Sequence, residues 1–180
     1  LAESSKGRRA AQVAANIGMA AWAAQPMVQI GLADSGLVAA AGPAMTLLLA
    51  PAVAVLAEAA ADTVSSEAGQ VLGGTPRLIT TLRRVQTGTD GAISLAGTLA
   101  GIASAAIVAA AGAWALGGGW LFFTVACAGG VFGLFFDSLL GATLERKGWL
   151  NNDMVNFLST IGAALAALLL LALLPGTAAG

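Results

Sequence analysis

Apolar residues run along this chain in long blocks separated by short polar stretches. The blocks predict five membrane-spanning helices, over about residues 10–32, 36–67, 93–116, 120–144 and 152–174. Each offers at least the roughly 20 apolar residues that a bilayer crossing needs. The second block is longer than a straight span requires and holds Pro43 and Pro51, so a kink or a broken helix is expected there. Asp34-Ser35-Gly36 brings cap chemistry between the first two spans, Gly117-Gly118-Gly119 makes a tight turn, and Pro175-Gly176 stops the fifth span. One connection is long, over 68–92. Connections beyond about 12–15 residues are usually functional or disordered.

Composition agrees with the pattern. The 180 residues are 58% hydrophobic and 9% charged, with a mean hydropathy of +0.86. Soluble domains carry about 25% charged residues. The expected fold class is therefore all-α, a polytopic membrane helix bundle forming one domain over 1–180. The net charge of −1 gives no sign of nucleic-acid binding. The one cysteine, Cys127, excludes an internal disulfide and reads as a small packing residue. There is no histidine, which leaves carboxylates as metal ligands, a set suited to Mg²⁺. The chain opens on Leu1 without a signal-peptide pattern, and upstream residues of the natural protein are expected to be missing.

The polar residues inside the blocks are not scattered. Glu58, Asp62 and Ser66 repeat every four residues on one face of the second span, and Glu67 falls off that stripe. Gly133, Asp137, Gly141 and Glu145 do the same on the fourth, where the glycines permit close approach of another helix within the chain or from a second copy, leaving a homodimer open. Gln12 and Asn16 continue a face from Arg8 on the first span. Asn152, Asn156 and Thr160 repeat on the fifth; Asn151 and Asn152 read as caps, and Asn156 as either a helix–helix hydrogen bond or a site residue. Acids in apolar surroundings are costly and need a reason. Glu58, Asp62, Glu67 and Asp137 are the metal-ligand candidates, and pairing of the acids with arginines for packing alone is the plainer alternative.

All eight Lys and Arg lie at residues 6–9, 77–84 and 146–147. With five spans these places share one side, which the positive-inside rule makes cytoplasmic, with the N-terminus. Every deep polar residue also sits at that end of its span, Ser94 and Thr98 included. The expectation is a membrane-embedded site open to cytosolic solutes. Trp22, Trp114, Trp120 and Trp149 fall near span ends, as interfacial aromatics do.

The long connection supplies anion-binding residue types. Arg77, Arg83 and Arg84 can fork onto phosphate oxygens, and Thr80 and Thr81 can donate hydroxyl hydrogens. Gly88-Thr89-Asp90-Gly91 opens the third span, with Ser94 beside it. Such a loop is either an ordinary turn and cap or an anion site at a helix N-terminus. Carboxylates, arginines and a Gly/Thr loop together fit a Mg²⁺-nucleotide and phosphoryl or nucleotidyl transfer, which needs positioning and charge neutralisation more than covalent help. Asp62, Asp137 and Arg77 are the catalytic candidates. A lipid-soluble acceptor would explain why the site is in a membrane.

Residues 6–16 (KGRRAAQVAAN), 61–67 (ADTVSSE), 76–85 (PRLITTLRRV), 88–98 (GTDGAISLAGT), 137–142 (DSLLGA) and 151–160 (NNDMVNFLST) resemble the membrane-protein family that includes plant phytyl phosphate kinase of the vitamin E pathway. More loosely, the spaced pattern is similar to CTP-using dolichol kinases and phosphatidate cytidylyltransferases. The family usually has Trp where this chain has Val64, and Gly where it has Ala92. The resemblance implies CTP-dependent phosphorylation of an isoprenyl monophosphate to the diphosphate. It implies that Asp62, Glu67 and Asp137 hold Mg²⁺, that Arg77, Thr81, Arg84 and the Gly88–Gly91 loop hold phosphates, and that Asn156 lines the site. A lipid cytidylyltransferase and a transporter with an intramembrane acidic ion site are the alternatives.

Overall fold

The computed structural model describes residues 10–35, 45–72 and 74–174. Its helices are α1 (Ala10–Ala23), α2 (Pro26–Asp34), α3 (Ala50–Leu72), α4 (Leu95–Leu116), α5 (Gly119–Leu140) and α6 (Asn152–Leu173). Among the described residues, four helices are long and apolar enough to cross a membrane: α3 with the turn before it, α4, α5 with the turn after it, and α6. The expected single span over 10–32 is instead two helices. Pro26 has no N–H to continue α1, and Gln25 before it is extended (φ −60°, ψ 134°). The Gln29 side chain turns back and donates to the Ala23 carbonyl that the break releases.

Pro51 does not break its helix. A 3₁₀ turn at Met45–Leu49 leads into α3, and Pro51 occupies the first α turn, where a missing N–H removes nothing. Pro43 lies outside the described residues. α3 then runs to Leu72, past the expected end at 67, so the connection to α4 is shorter at its start. That connection holds an antiparallel pair, β1 (Arg77–Leu78) and β2 (Ala92–Ile93), with Arg77 opposite Ile93 and Leu78 opposite Ala92.

α3 is the central helix and packs against α1, α4, α5 and α6. In lipid, packing rather than water exclusion holds helices together, and small residues allow the closest approach. Ala54, Ala57 and Ala61 on α3 and Ala105 and Ala109 on α4 are fully buried. The larger apolar cluster gathers Leu48, Val53, Phe122, Val125 and Leu171 around the start of α3, with Cys127 at its margin. The other ends of these helices carry the polar residues. Phe122 is fully buried, whereas Trp22, Trp114, Trp120 and Trp149 are all exposed.

Candidate functional site: an acidic cavity at one end of the bundle

Four elements converge at the polar end. α3 brings Asp62, Ser65, Ser66, Glu67, Gly69 and Gln70; α5 brings Leu134, Asp137 and Ser138; the start of α6 brings Asn152, Asp153 and Asn156; the loop from Thr87 to Ala92 closes over them. Together with Gly141, Glu145 and Ser94 they line a cavity of about 790 Å³. This is within the range of small-molecule sites, roughly 300–1,000 Å³.

Each wall has a local cause. α5 widens into a π turn at Gly141–Glu145. A π turn rotates less per residue than an α turn, so Glu145 comes back toward the face that carries Asp137. Gly91 adopts φ +71° and sits against Ala142 so closely that a β-carbon would overlap the Ala142 backbone. Ile79 N–H donates to the Gly91 carbonyl at 3.1 Å, and Thr89 Oγ1 donates to the Gln86 carbonyl at 2.7 Å, which fixes the loop from both sides. Asn151 caps α6, its Oδ1 accepting from Met154 N–H at 2.9 Å. Ser94 caps α4 by accepting from Gly97 N–H at 3.1 Å. Asn156 is buried, and its Nδ2 donates to the Asn152 carbonyl at 2.8 Å.

The lining is acidic. Asp62, Glu67, Asp90, Asp137, Glu145 and Asp153 face one space, and no Lys or Arg is among the described lining residues. Asp90 and Asp62 both act electrostatically on Glu145, so charges from the loop, α3 and α5 are felt together. Among the described residues no three His, Cys, Asp or Glu side chains are gathered tightly enough to hold a metal by themselves. Mg²⁺ does not ask for such a cage. It binds through one or two carboxylates, keeps several waters, and completes its shell with substrate phosphates. An all-oxygen, histidine-free acidic lining fits that habit.

Of the residues expected from sequence, the cavity takes in Asp62, Glu67, Gly88, Thr89, Gly91, Ser94, Asp137 and Asn156. It does not take in Glu58, Arg77, Thr80, Thr81, Arg83 or Arg84. Glu58 is buried at 1% exposure, one turn below the cavity floor. The arginines belong to a self-bonded turn outside it. Arg77 Nη1 donates to the Leu82 carbonyl at 2.9 Å, Leu78 N–H donates to the Arg83 carbonyl at 3.0 Å, and Leu82 holds a positive φ of 55°. Asn16 is buried on α1 but does not line the cavity.

Comparison with known proteins places this architecture. Residues 1–164 match the family described as "Integral membrane protein DUF92". The chain belongs to that family. An uncharacterised membrane protein of Methanocaldococcus jannaschii is 43% identical over 118 residues, covering 66% of this chain and 49% of the relative. An uncharacterised membrane protein of Synechocystis is 42% identical over 111 residues, 58% of this chain and 42% of that one. The chloroplast protein VTE6 of Arabidopsis thaliana is 37% identical over 113 residues, 61% of this chain and 34% of the plant protein. This DUF92 chain thus spans half or less of the length of these relatives. No solved structure gives a significant match.

Three cavity acids of the DUF92 chain were not on the sequence-derived candidate set: Asp90, Glu145 and Asp153. Two of them had visible signals. Asp90 lies within Gly88-Thr89-Asp90-Gly91, and Glu145 ends the four-residue stripe through Asp137. Asp153 sits in the first turn of α6, where an acid suits the helix dipole and draws no attention.

Proposed function

We propose that this protein is a Mg²⁺-dependent kinase that uses CTP to phosphorylate an isoprenyl monophosphate, of phytyl or geranylgeranyl type, to the diphosphate. The observation that carries the reading is the cavity wall of six carboxylates with no basic residue in its lining. Such a wall repels bare phosphate and favours phosphate that arrives with a divalent cation. The motif resemblance to the phytyl phosphate kinase family and the similarity to VTE6 supply the substrate class.

In this reading a terminal oxygen of the isoprenyl phosphate attacks the γ-phosphorus of CTP, the bond to the β-phosphate oxygen breaks, and CDP leaves. The acceptor is already ionised near neutral pH, so no strong base is needed, which suits a chain without histidine. Asp62 and Asp137, on facing helices, would hold Mg²⁺, with waters and substrate phosphates completing its shell, and Glu67 adds a carboxylate to the same cavity lining. When bound, Mg²⁺ supplies charge neutralisation and in-line orientation of the phosphates. Asn156 and the backbone of the Gly88–Gly91 loop orient the phosphates from the remaining sides. Arg77, Thr80, Thr81, Arg83 and Arg84 lie outside the lining, so their role is to meet phosphate at the approach rather than on the floor. By the charge bias of the connections, the cavity faces the cytoplasm.

The test is a purified-protein assay with phytyl or geranylgeranyl monophosphate, Mg²⁺ and each of the four NTPs, read by mass spectrometry. Isoprenyl diphosphate with CTP supports the kinase. A CDP-linked lipid moves the assignment to cytidylyl transfer, and no turnover with any nucleotide in folded protein overturns both.

A further inference from the structure

Glu58 is the most deeply buried charged residue described, and nothing in the kinase reading uses it. Its Oε1 accepts a hydrogen bond from Ser159 Oγ at 2.7 Å, joining α3 to α6. Both side chains are buried, Glu58 at 1% exposure and Ser159 at 0%. The link passes over α5 at Gly133, where a β-carbon would fall 2.5 Å from Glu58 Cγ, 2.9 Å from Ala163 Cβ and 3.1 Å from the Ser159 carbonyl. Three helices therefore meet at one contact of carboxylate, hydroxyl and missing side chain.

Each member of that contact stands one helical turn from a cavity residue. Asp62 follows Glu58 by four residues on α3, and Asp137 follows Gly133 by four on α5. On α6, Asn156 precedes Ser159 by three, and Ser159 Oγ is also 2.8 Å from the Asn156 carbonyl. A helix turn is a stiff lever of about 5.4 Å, so fixing these three points fixes the three side chains above them.

We infer that Glu58 is a positioning residue: with Ser159 and Gly133 it clasps α3, α5 and α6 beneath the cavity and sets the spacing of Asp62, Asp137 and Asn156. The inference rests on the proposed reading of the cavity as the reaction site. Glu58 neither lines that cavity nor touches substrate. Its carboxylate reaches across a glycine gap to a buried hydroxyl, which an apolar side chain of the same volume cannot do.

The experiment uses the full chain in detergent or vesicles, with Glu58→Met, Ser159→Ala and Gly133→Ala, and with Glu58→Gln as the conservative variant that keeps the Oε1 acceptor, each checked for thermal unfolding. Two readouts are taken. The first is kcat and KM for nucleotide and for lipid phosphate. The second is the rate at which a charged maleimide labels Ser138→Cys on the cavity wall, in a Cys127→Ala background. A positioning role predicts that Glu58→Met lowers kcat about 10–100-fold while both KM values stay within about 2-fold, and that Glu58→Gln, whose amide oxygen still accepts from Ser159 Oγ, loses far less. It also predicts that Glu58→Met and Ser159→Ala together are no worse than either alone, and that labelling of Ser138→Cys changes several-fold in Glu58→Met, Ser159→Ala and Gly133→Ala. A fall in unfolding temperature with kcat and labelling unchanged overturns the clasp, as does full additivity of the pair. Absence of turnover in the unsubstituted protein overturns the kinase reading instead, and the labelling rates then decide the clasp on their own.

Discussion

Gly91 and Ala142 are in direct backbone contact, and this contact joins the loop before α4 to the π turn at the end of α5. A β-carbon on Gly91 would overlap the Ala142 backbone, and the positive φ of 71° independently favours glycine. Gly91→Ala is expected to destabilise the protein by about 3 kcal/mol, from overpacking plus backbone strain. Thermal unfolding measures it. Because Asp90 and Glu145 flank the contact, activity should fall further than stability accounts for.

Asp62 and Asp137 reach the same cavity from facing helices. Asp62→Asn and Asp137→Asn keep shape and remove one charge each. Both are expected to abolish nucleotide-dependent turnover while leaving the unfolding temperature within a few degrees. Full activity in either variant removes that residue from the proposed metal site.

Chelation gives a complementary test. EDTA should stop turnover, and readdition of Mg²⁺ should restore it. Turnover that persists in EDTA refutes the metal requirement.

Arg77 and Arg84 separate two ways of acting. Arg84→Ala should raise KM for nucleotide or lipid phosphate, as loss of an approach-side cation would. Arg77→Ala should do the same and also loosen the turn, because its hydrogen bond to the Leu82 carbonyl is lost, an effect of about 1 kcal/mol. Limited proteolysis between residues 78 and 84 reads the loosening. Unchanged KM values in both variants count against any phosphate role.

Asn151 tests the α6 wall. Asn151→Ala removes the cap on Met154 N–H and should cost about 1 kcal/mol of stability. The first turn of α6 carries Asp153, so a frayed start should also raise KM.

The helices were legible because apolar runs of this length have few other fates. The break at Pro26 was missed because the run is apolar on both sides of it, and hydropathy does not register a lost N–H. The β1–β2 pair is two residues per strand and is set by backbone bonds that no side-chain pattern encodes. Asp62 and Asp137 stood out as acids in apolar sequence. Glu58 stood out in the same way, yet it lies one turn deeper, and a four-residue period does not say at which turn a cavity ends. The arginines were read by their neighbours in sequence. Their turn satisfies its own carbonyls first, and this ties the exposed Arg77 to Leu82.

On the proposed reading, the acidic wall is also a filter on chemical form. A phosphate that arrives bare meets an acidic lining; one that arrives already neutralised meets carboxyl oxygens it can share a cation with. Discrimination of that kind does not depend on the shape of the base or the length of the lipid. On the proposed reading, the form such a site selects is the cation–nucleotide complex rather than total nucleotide, and uncomplexed nucleotide is expected to be a poor competitor.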